Sequence, residues 1–176
     1  MIFSVASMEN NDFMYMELAL AAAHEAANRN EVPVGAVIVS AGKVVGTGYN
    51  RREERQTPLA HAEILAIEEA AGNLRSWRLH QCDIYVTLEP CLMCVGAILQ
   101  ARMRRLIFAS HDPKAGAVES LYRLCEDQRL NHQIPATGGV MAEQSGALLT
   151  GFFTRLRLQK RQSQNAERWP SPVEGA

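Results

Sequence analysis

Two short stretches of this chain bring chemically capable side chains together, Pro90-Cys91-Leu92-Met93-Cys94 and His61-Ala62-Glu63. Cys91 and Cys94 stand three positions apart, so on a helix both thiols share a face and can meet one ion. A helix start also carries partial positive charge, which favours the thiolates that a metal requires. Pro90 suits such a start because it has no amide hydrogen to satisfy. Taken alone, Cys-x-x-Cys admits three readings: half of a structural zinc site, a redox pair, or two small buried residues in an apolar helix. A four-cysteine site needs a second pair, which Cys82 and Cys125 do not form, and a redox pair leaves His-x-Glu without a purpose.

On a regular helix His61 and Glu63 point to different sides, so His61 has to sit at the entry turn for both to reach one place. A histidine near a helix start is, by itself, more often a polar residue satisfied locally than a ligand. Combined with two thiolates it gives a tetrahedral zinc with one open position, the arrangement of a catalytic site. Sulfur ligands favour zinc over magnesium or calcium. Glu63 need not ligate, since a carboxylate beside an activated water can take its proton and pass it on. One Zn2+ per subunit, held by His61, Cys91 and Cys94, is the expected cofactor, with Glu63 as the catalytic acid–base.

These residues need a frame. Apolar Phe13, Met16, Leu20, Ala23 and Ala27 recur at three- and four-residue spacing, so a helix is expected from Asp12 to about Arg29. A hairpin follows, Val34 to Val39 and Val44 to Tyr49 around Ala41-Gly42-Lys43. Asn50 to Ala60 reads as a loop and His61 to Ala71 as a helix ended by Gly72-Asn73. Ile84 to Thr87 reads as a strand, Cys91 to Ala101 as a buried helix, and Arg105 to Ala109 as a strand. A short helix from Val118 to Cys125, a strand at Val140 and a helix from Ala142 to about Arg161 complete the series. Alternation of this kind predicts an α/β domain, a mixed β-sheet with helices on both faces.

The chain has 176 residues, 18 basic and 19 acidic, and net charge -1, which neither announces nor excludes a nucleic-acid partner. One domain over 12–161 is expected, with flexible termini at 1–11 and 162–176. No run is long enough to span a bilayer, and residues 1–7 lack the pattern of a signal peptide, so Met8 is as acceptable a start as Met1. Four irregularly spaced cysteines fit a reduced, cytoplasmic protein. Two clusters, Arg102, Arg104, Arg105 and Arg155, Arg157, Lys160, Arg161, are local positive regions, each either an RNA contact or a solvated face. Of the neighbouring Phe152 and Phe153, one can face the core while the other stands exposed as a stacking platform.

The elements His61-Ala62-Glu63 and Thr87-Leu88-Glu89-Pro90-Cys91-Leu92-Met93-Cys94 resemble the cytidine/deoxycytidylate deaminase superfamily, whose H-x-E…P-C-x-x-C pattern is well known. Within it the chain is most similar to the bacterial tRNA-specific adenosine deaminases, from about Phe13 to Arg161. Glu31 to Val37, Gly48-Tyr49-Asn50-Arg51, Asp112 to Ala117, Asn131-His132 and Gly151 to Arg157 also match, although Pro113 and Ala115 depart from the usual residues around the lysine.

The resemblance implies the cytidine-deaminase-like three-layer fold and a homodimer that acts on the tRNA anticodon arm. The implied reaction is hydrolysis of the wobble adenosine, position 34, to inosine with release of ammonia. It assigns zinc to His61, Cys91 and Cys94, and substrate contacts to Asn50, to Val32, Pro33 and Val34 around the base, to Asp112 and Lys114 in the approach loop, and to Phe153 and Arg157 along the last helix. Neither a membrane nor a nucleotide cofactor is implied. Two rival readings are a deaminase of guanine or another free purine, and a non-catalytic RNA-binding subunit with structural zinc. Glu63 argues against the second, since a structural site has no use for an unligated carboxylate.

Overall fold

Three segments of near-continuous apolar character, Gly35–Ser40, Cys82–Leu88 and Arg105–Ser110, are strands buried on both faces. They lie at the centre of a computed structural model that describes residues 5–168, with side chains over 11–164. In order the elements are α1 (Val5–Asn28), β1 (Gly35–Ser40), β2 (Lys43–Tyr49), α2 (Arg52–Arg55), α3 (Ala62–Leu74), β3 (Cys82–Leu88) and α4 (Leu92–Gln100). There follow β4 (Arg105–Ser110), a 3-10 turn (Leu124–Glu126), β5 (Ala136–Thr137) and α5 (Ala142–Arg168). The sheet order is β2-β1-β3-β4-β5. β1 runs antiparallel to β2 and β3, whereas β3–β4 and β4–β5 are parallel, so the sheet is mixed.

Side chains alternate across the strands and feed two cores. Ala36, Ile38, Ile84, Val86, Leu106 and Phe108 face α3 and α4. Val37, Val39, Tyr85 and Ile107 face Tyr15, Met16 and Ala19 of α1 and, beside them, Met141 at the start of α5. Helix, sheet, helix is the three-layer α/β arrangement expected from the resemblance. A close approach sets α3: a Cβ on Gly48 of β2 would lie 2.1 Å from the Ala62 carbonyl oxygen, so only glycine lets the first turn of α3 seat on the sheet.

The register fixes one functional edge. Gly35 pairs with Tyr49, Ala36 with Val86, and Leu88 with Ser110, so the start of β1 and the ends of β2, β3 and β4 lie side by side. The chain leaves that edge into α2, α4 and the loop after Ser110. Open α/β sheets bind ligands beyond the carboxyl ends of their strands.

Several local expectations are corrected. Asn50–Ala60 holds a helical turn, α2, whose first amides are satisfied by Glu31 from a distant part of the chain. Gly72-Asn73 does not end α3, which continues to Leu74 and stops with Arg75 in the left-handed region; Asn73 Nδ2 instead donates to the Val45 carbonyl at 2.9 Å, tying the helix to β2. Of the expected helix at Val118–Cys125 only the 3-10 turn forms, because the amides of 118–120 are bound to a side chain, Glu89. Pairing with Leu106 and Ile107 places the last strand at Ala136–Thr137 rather than at Val140. Phe13 is exposed, and α1 packs through Met16, Ala19, Leu20, Ala23 and Ala26. α1 and α5 extend past the domain bounds 12 and 161. The expected flexibility of 1–4 and 169–176 lies outside the described residues.

Candidate active site

A thiol or imidazole at a helix start is held by backbone geometry rather than by its own rotamer freedom alone, and this chain uses the device twice. His61 is the N-cap of α3, extended at φ -79 and ψ 152, with its carbonyl accepting from the Leu65 amide. Cys91 is the N-cap of α4, at φ -76 and ψ 174, and Cys94 lies within the first turn. His61 therefore sits at the entry turn, as the two-residue spacing to Glu63 requires.

The three side chains converge. His61 Nδ1 is 3.5 Å from Cys94 Sγ and 3.8 Å from Cys91 Sγ, and the three ligand atoms all lie within 4.8 Å of one another. Tetrahedral zinc with bonds of about 2.3 Å to sulfur and about 2.0–2.1 Å to nitrogen separates nitrogen from sulfur by about 3.6 Å. The donor set and its spacing fit zinc. A hydrogen bond with Cys94, aided by His61, pulls the Cys91 thiol well below its usual range, while the same bond pushes Cys94 up. Bonding to Cys91 raises His61.

Glu63 is 4% exposed, and burial raises its carboxyl above the ordinary range. It lines, with His61 and Cys91, a cavity of ≈ 210 Å³. Pockets for drug-sized ligands run from about 300 to 1,000 Å³, so this one suits a single base better than a whole nucleotide. Val32, Val34, Asn50 and Asp112 line the same cavity.

The remaining expected contacts are elsewhere. Pro33 is buried beside the cavity without lining it, and Ala115, not Lys114, reaches the wall. Phe153 is 39% exposed on α5 while Phe152 is 7% exposed, so the pair divides between core and surface. Arg157 bonds Thr154 Oγ1 at 3.0 Å, and Arg155 lies over the Phe152 ring. Arg104 pairs with Asp83, and Arg105 with Asp83 and Asp12, so these two arginines of the first cluster are engaged within the fold. His111 pairs with Glu119, and His132 meets the Met103 carbonyl.

Sequence reasoning missed Glu89. Its carboxylate, 2% exposed, accepts amides from Asp112, Val118, Glu119 and Ser120 at 2.7–3.0 Å, and the Ser120 hydroxyl. Burial would raise this acid, but the donors, led by the Glu119 amide, outweigh it and hold the carboxyl at about 2. The loop that carries Asp112 and Ala115 is wound around it. Arg52, Ala62 and Leu88 also line the cavity; Ala62 and Leu88 fall within the two motifs without a role read for them, and no motif marks Arg52.

The MafB19-like deaminase family matches residues 10–157. The tRNA-specific adenosine deaminase of Bacillus subtilis (strain 168) is 42% identical over 150 residues, 85% of this chain and 93% of that protein. A solved structure from work on A-to-I editing by tRNA:A34 deaminases is 44% identical, with a TM-score of 0.75 over 77% of this chain and 99% of that one. The X-ray structure of guanine deaminase from Bacillus subtilis is 30% identical, with a TM-score of 0.55 over 69% of this chain and 81% of that one.

Proposed function

The chain belongs to the MafB19-like deaminases and among them to the tRNA-specific adenosine deaminases, and from that premise we propose that it hydrolyses adenosine 34 of tRNA anticodons to inosine. The observation that carries this reading is the convergence of His61, Cys91 and Cys94 at a small cavity that His61 and Cys91 line together with the buried Glu63. His61, Cys91 and Cys94 would hold one zinc per subunit. Zinc, when bound, supplies the Lewis acidity that makes water a nucleophile near neutral pH.

The chain's own residues do the rest. The cavity admits one flipped base and leaves the remainder of the anticodon arm outside. Val32 and Val34 offer apolar walls for its faces, and Asn50 offers a polar group to its edge. Glu63 takes a proton from the attacking water and delivers it to N1 as C6 becomes tetrahedral. It then carries the second proton to the amine, so that adenosine and water become inosine and ammonia. A carboxyl raised above its ordinary range by burial suits this work, because it holds the proton it accepts more readily before returning it.

Outside the cavity, Phe153 and Arg157 on α5, with Lys114 in the approach loop, are proposed RNA contacts. The proposal includes a homodimer in the cytoplasm. Exposed Leu59, Leu92, Leu121 and Tyr122, near the site residues in sequence, support an interface there, and four free cysteines support a reducing compartment. Among the described residues no helix is long and apolar enough to cross a membrane. The test is incubation of zinc-loaded protein with anticodon stem-loops bearing adenosine at the wobble position or one position away. Inosine only in the first supports the reading, and conversion of neither overturns it.

A further inference from the structure

Asn50 faces the cavity from the end of β2, and the group that holds it lies outside the cavity. Its backbone amide donates to the Val34 carbonyl at 2.9 Å, and it is 5% exposed. Its side-chain Nδ2 donates to Glu31 Oε2 at 3.3 Å. Glu31 is 1% exposed. The same carboxylate accepts the Glu54 amide through Oε1 at 2.7 Å and the Glu53 amide through Oε2 at 3.2 Å. One buried side chain thus ties together the end of α1, the end of β2 and the start of α2.

The chemistry fixes more than position. Both Glu31 oxygens act as acceptors, so the Asn50 amide must turn its NH2 toward them, since its carbonyl would set acceptor against acceptor. That commits one Nδ2 hydrogen. The carbonyl oxygen and the second Nδ2 hydrogen are left, in a defined order, for whatever enters the cavity. A purine nucleoside presents acceptors at its ring nitrogens and donors at its hydroxyls and exocyclic amine. An amide free to flip would offer its donor and acceptor interchangeably and match neither well.

We propose that Glu31 is a positioning residue of the substrate site. It holds the Asn50 amide in one flip and one place and so sets affinity for the target nucleoside without entering the bond-making steps. The inference rests on the reading of the cavity as a nucleoside site. A role confined to capping α2 is the alternative, and the two differ in what a substitution does to binding.

The test is Glu31→Gln, which keeps the volume and one acceptor but sets an NH2 group against donors. KM for the wobble-adenosine stem-loop should rise roughly 3- to 30-fold, the range for one hydrogen bond to a buried group, with kcat within about threefold. On an Asn50→Ala background, Glu31→Gln should add little, because the first change removes what the second acts through. In nitrogen-15 spectra of the RNA-free, zinc-loaded protein, the Asn50 NH2 pair should move on substitution of Glu31. If Glu31→Gln fails to fold, Glu31→Asp, which retains both acceptors on a shorter stem, should raise KM with kcat little changed. Additive effects in the double variant, a fall in kcat at constant KM, or a wild-type KM in a folded Glu31 variant would overturn the role. An Asn50 NH2 signal indifferent to Glu31 would overturn the tether. Wild type that shows the tether but converts no RNA would instead overturn the proposed function, so the two failures are distinguishable.

Discussion

Gly116 packs so tightly on Glu89 that a Cβ at 116 would lie 2.3 Å from the carboxyl carbon. The loop after β4 is therefore moulded on a buried anion, with glycine at the point of closest approach. Gly116→Ala should force the loop off Glu89, lowering the melting temperature and raising KM together; a variant equal to wild type in both would contradict this account of the loop.

Glu89 also makes a pH-dependent contribution. Its folded carboxyl is held at about 2, below the ordinary 4.5. A depressed acid stabilises the fold above its unfolded value and loses that contribution as pH falls toward the folded value. The contribution is on the order of 3 kcal/mol at neutral pH, lost between about pH 5 and pH 2. Glu89→Gln should lower stability at pH 7 and flatten the acid limb of a denaturation series over that window. An unchanged acid limb would show that other carboxylates govern it.

Glu63→Gln should preserve fold and zinc while lowering turnover at least about 100-fold, the lower end for losing a general acid–base. Near-normal turnover in a zinc-loaded variant would remove Glu63 from the proton path.

The ligand set was legible in the sequence because its logic is local: an i, i+3 thiol pair at one helix start and a histidine at another. Glu31 and Glu89 were not, because their partners lie 19 or more residues away in the chain, from Asn50 through Glu54 and from Asp112 through Ser120. Their long-range bonds also account for two errors of secondary structure. Glu31 caps a helical turn that composition marks as loop, and Glu89 takes the amides that a helix at 118–125 would need. The near-continuous apolar runs of β1, β3 and β4, buried on both faces, were read correctly as strands, since apolar runs bounded by turns carry that signal.

Metal content is directly measurable. Purified protein should hold about one zinc per chain, and Cys91→Ala should lose both zinc and activity. Full zinc occupancy in that variant would sink the ligand assignment, and a full complement of iron in active wild type would sink zinc as the metal.

Arg155 lies over the Phe152 ring and Arg157 bonds only a neighbouring hydroxyl, Thr154, so Arg157, Lys160 and Arg161 on exposed α5 are the candidate phosphate contacts. Arg157→Ala with Arg161→Ala should weaken stem-loop binding and reduce its dependence on salt by roughly one charge or less per contact. Single-turnover rates at saturating RNA should change far less. Unchanged affinity and salt slope would return this stretch to a solvated helix face.

One zinc-loaded cavity is expected to deaminate adenosine 34 in RNA. The most direct test is a side-by-side assay of a single preparation on a wobble-adenosine stem-loop and on free guanine, counting inosine, xanthine and ammonia. Inosine and ammonia in equal amounts are expected from the stem-loop, and no xanthine from guanine. Xanthine from guanine, with the stem-loop untouched, would contradict this.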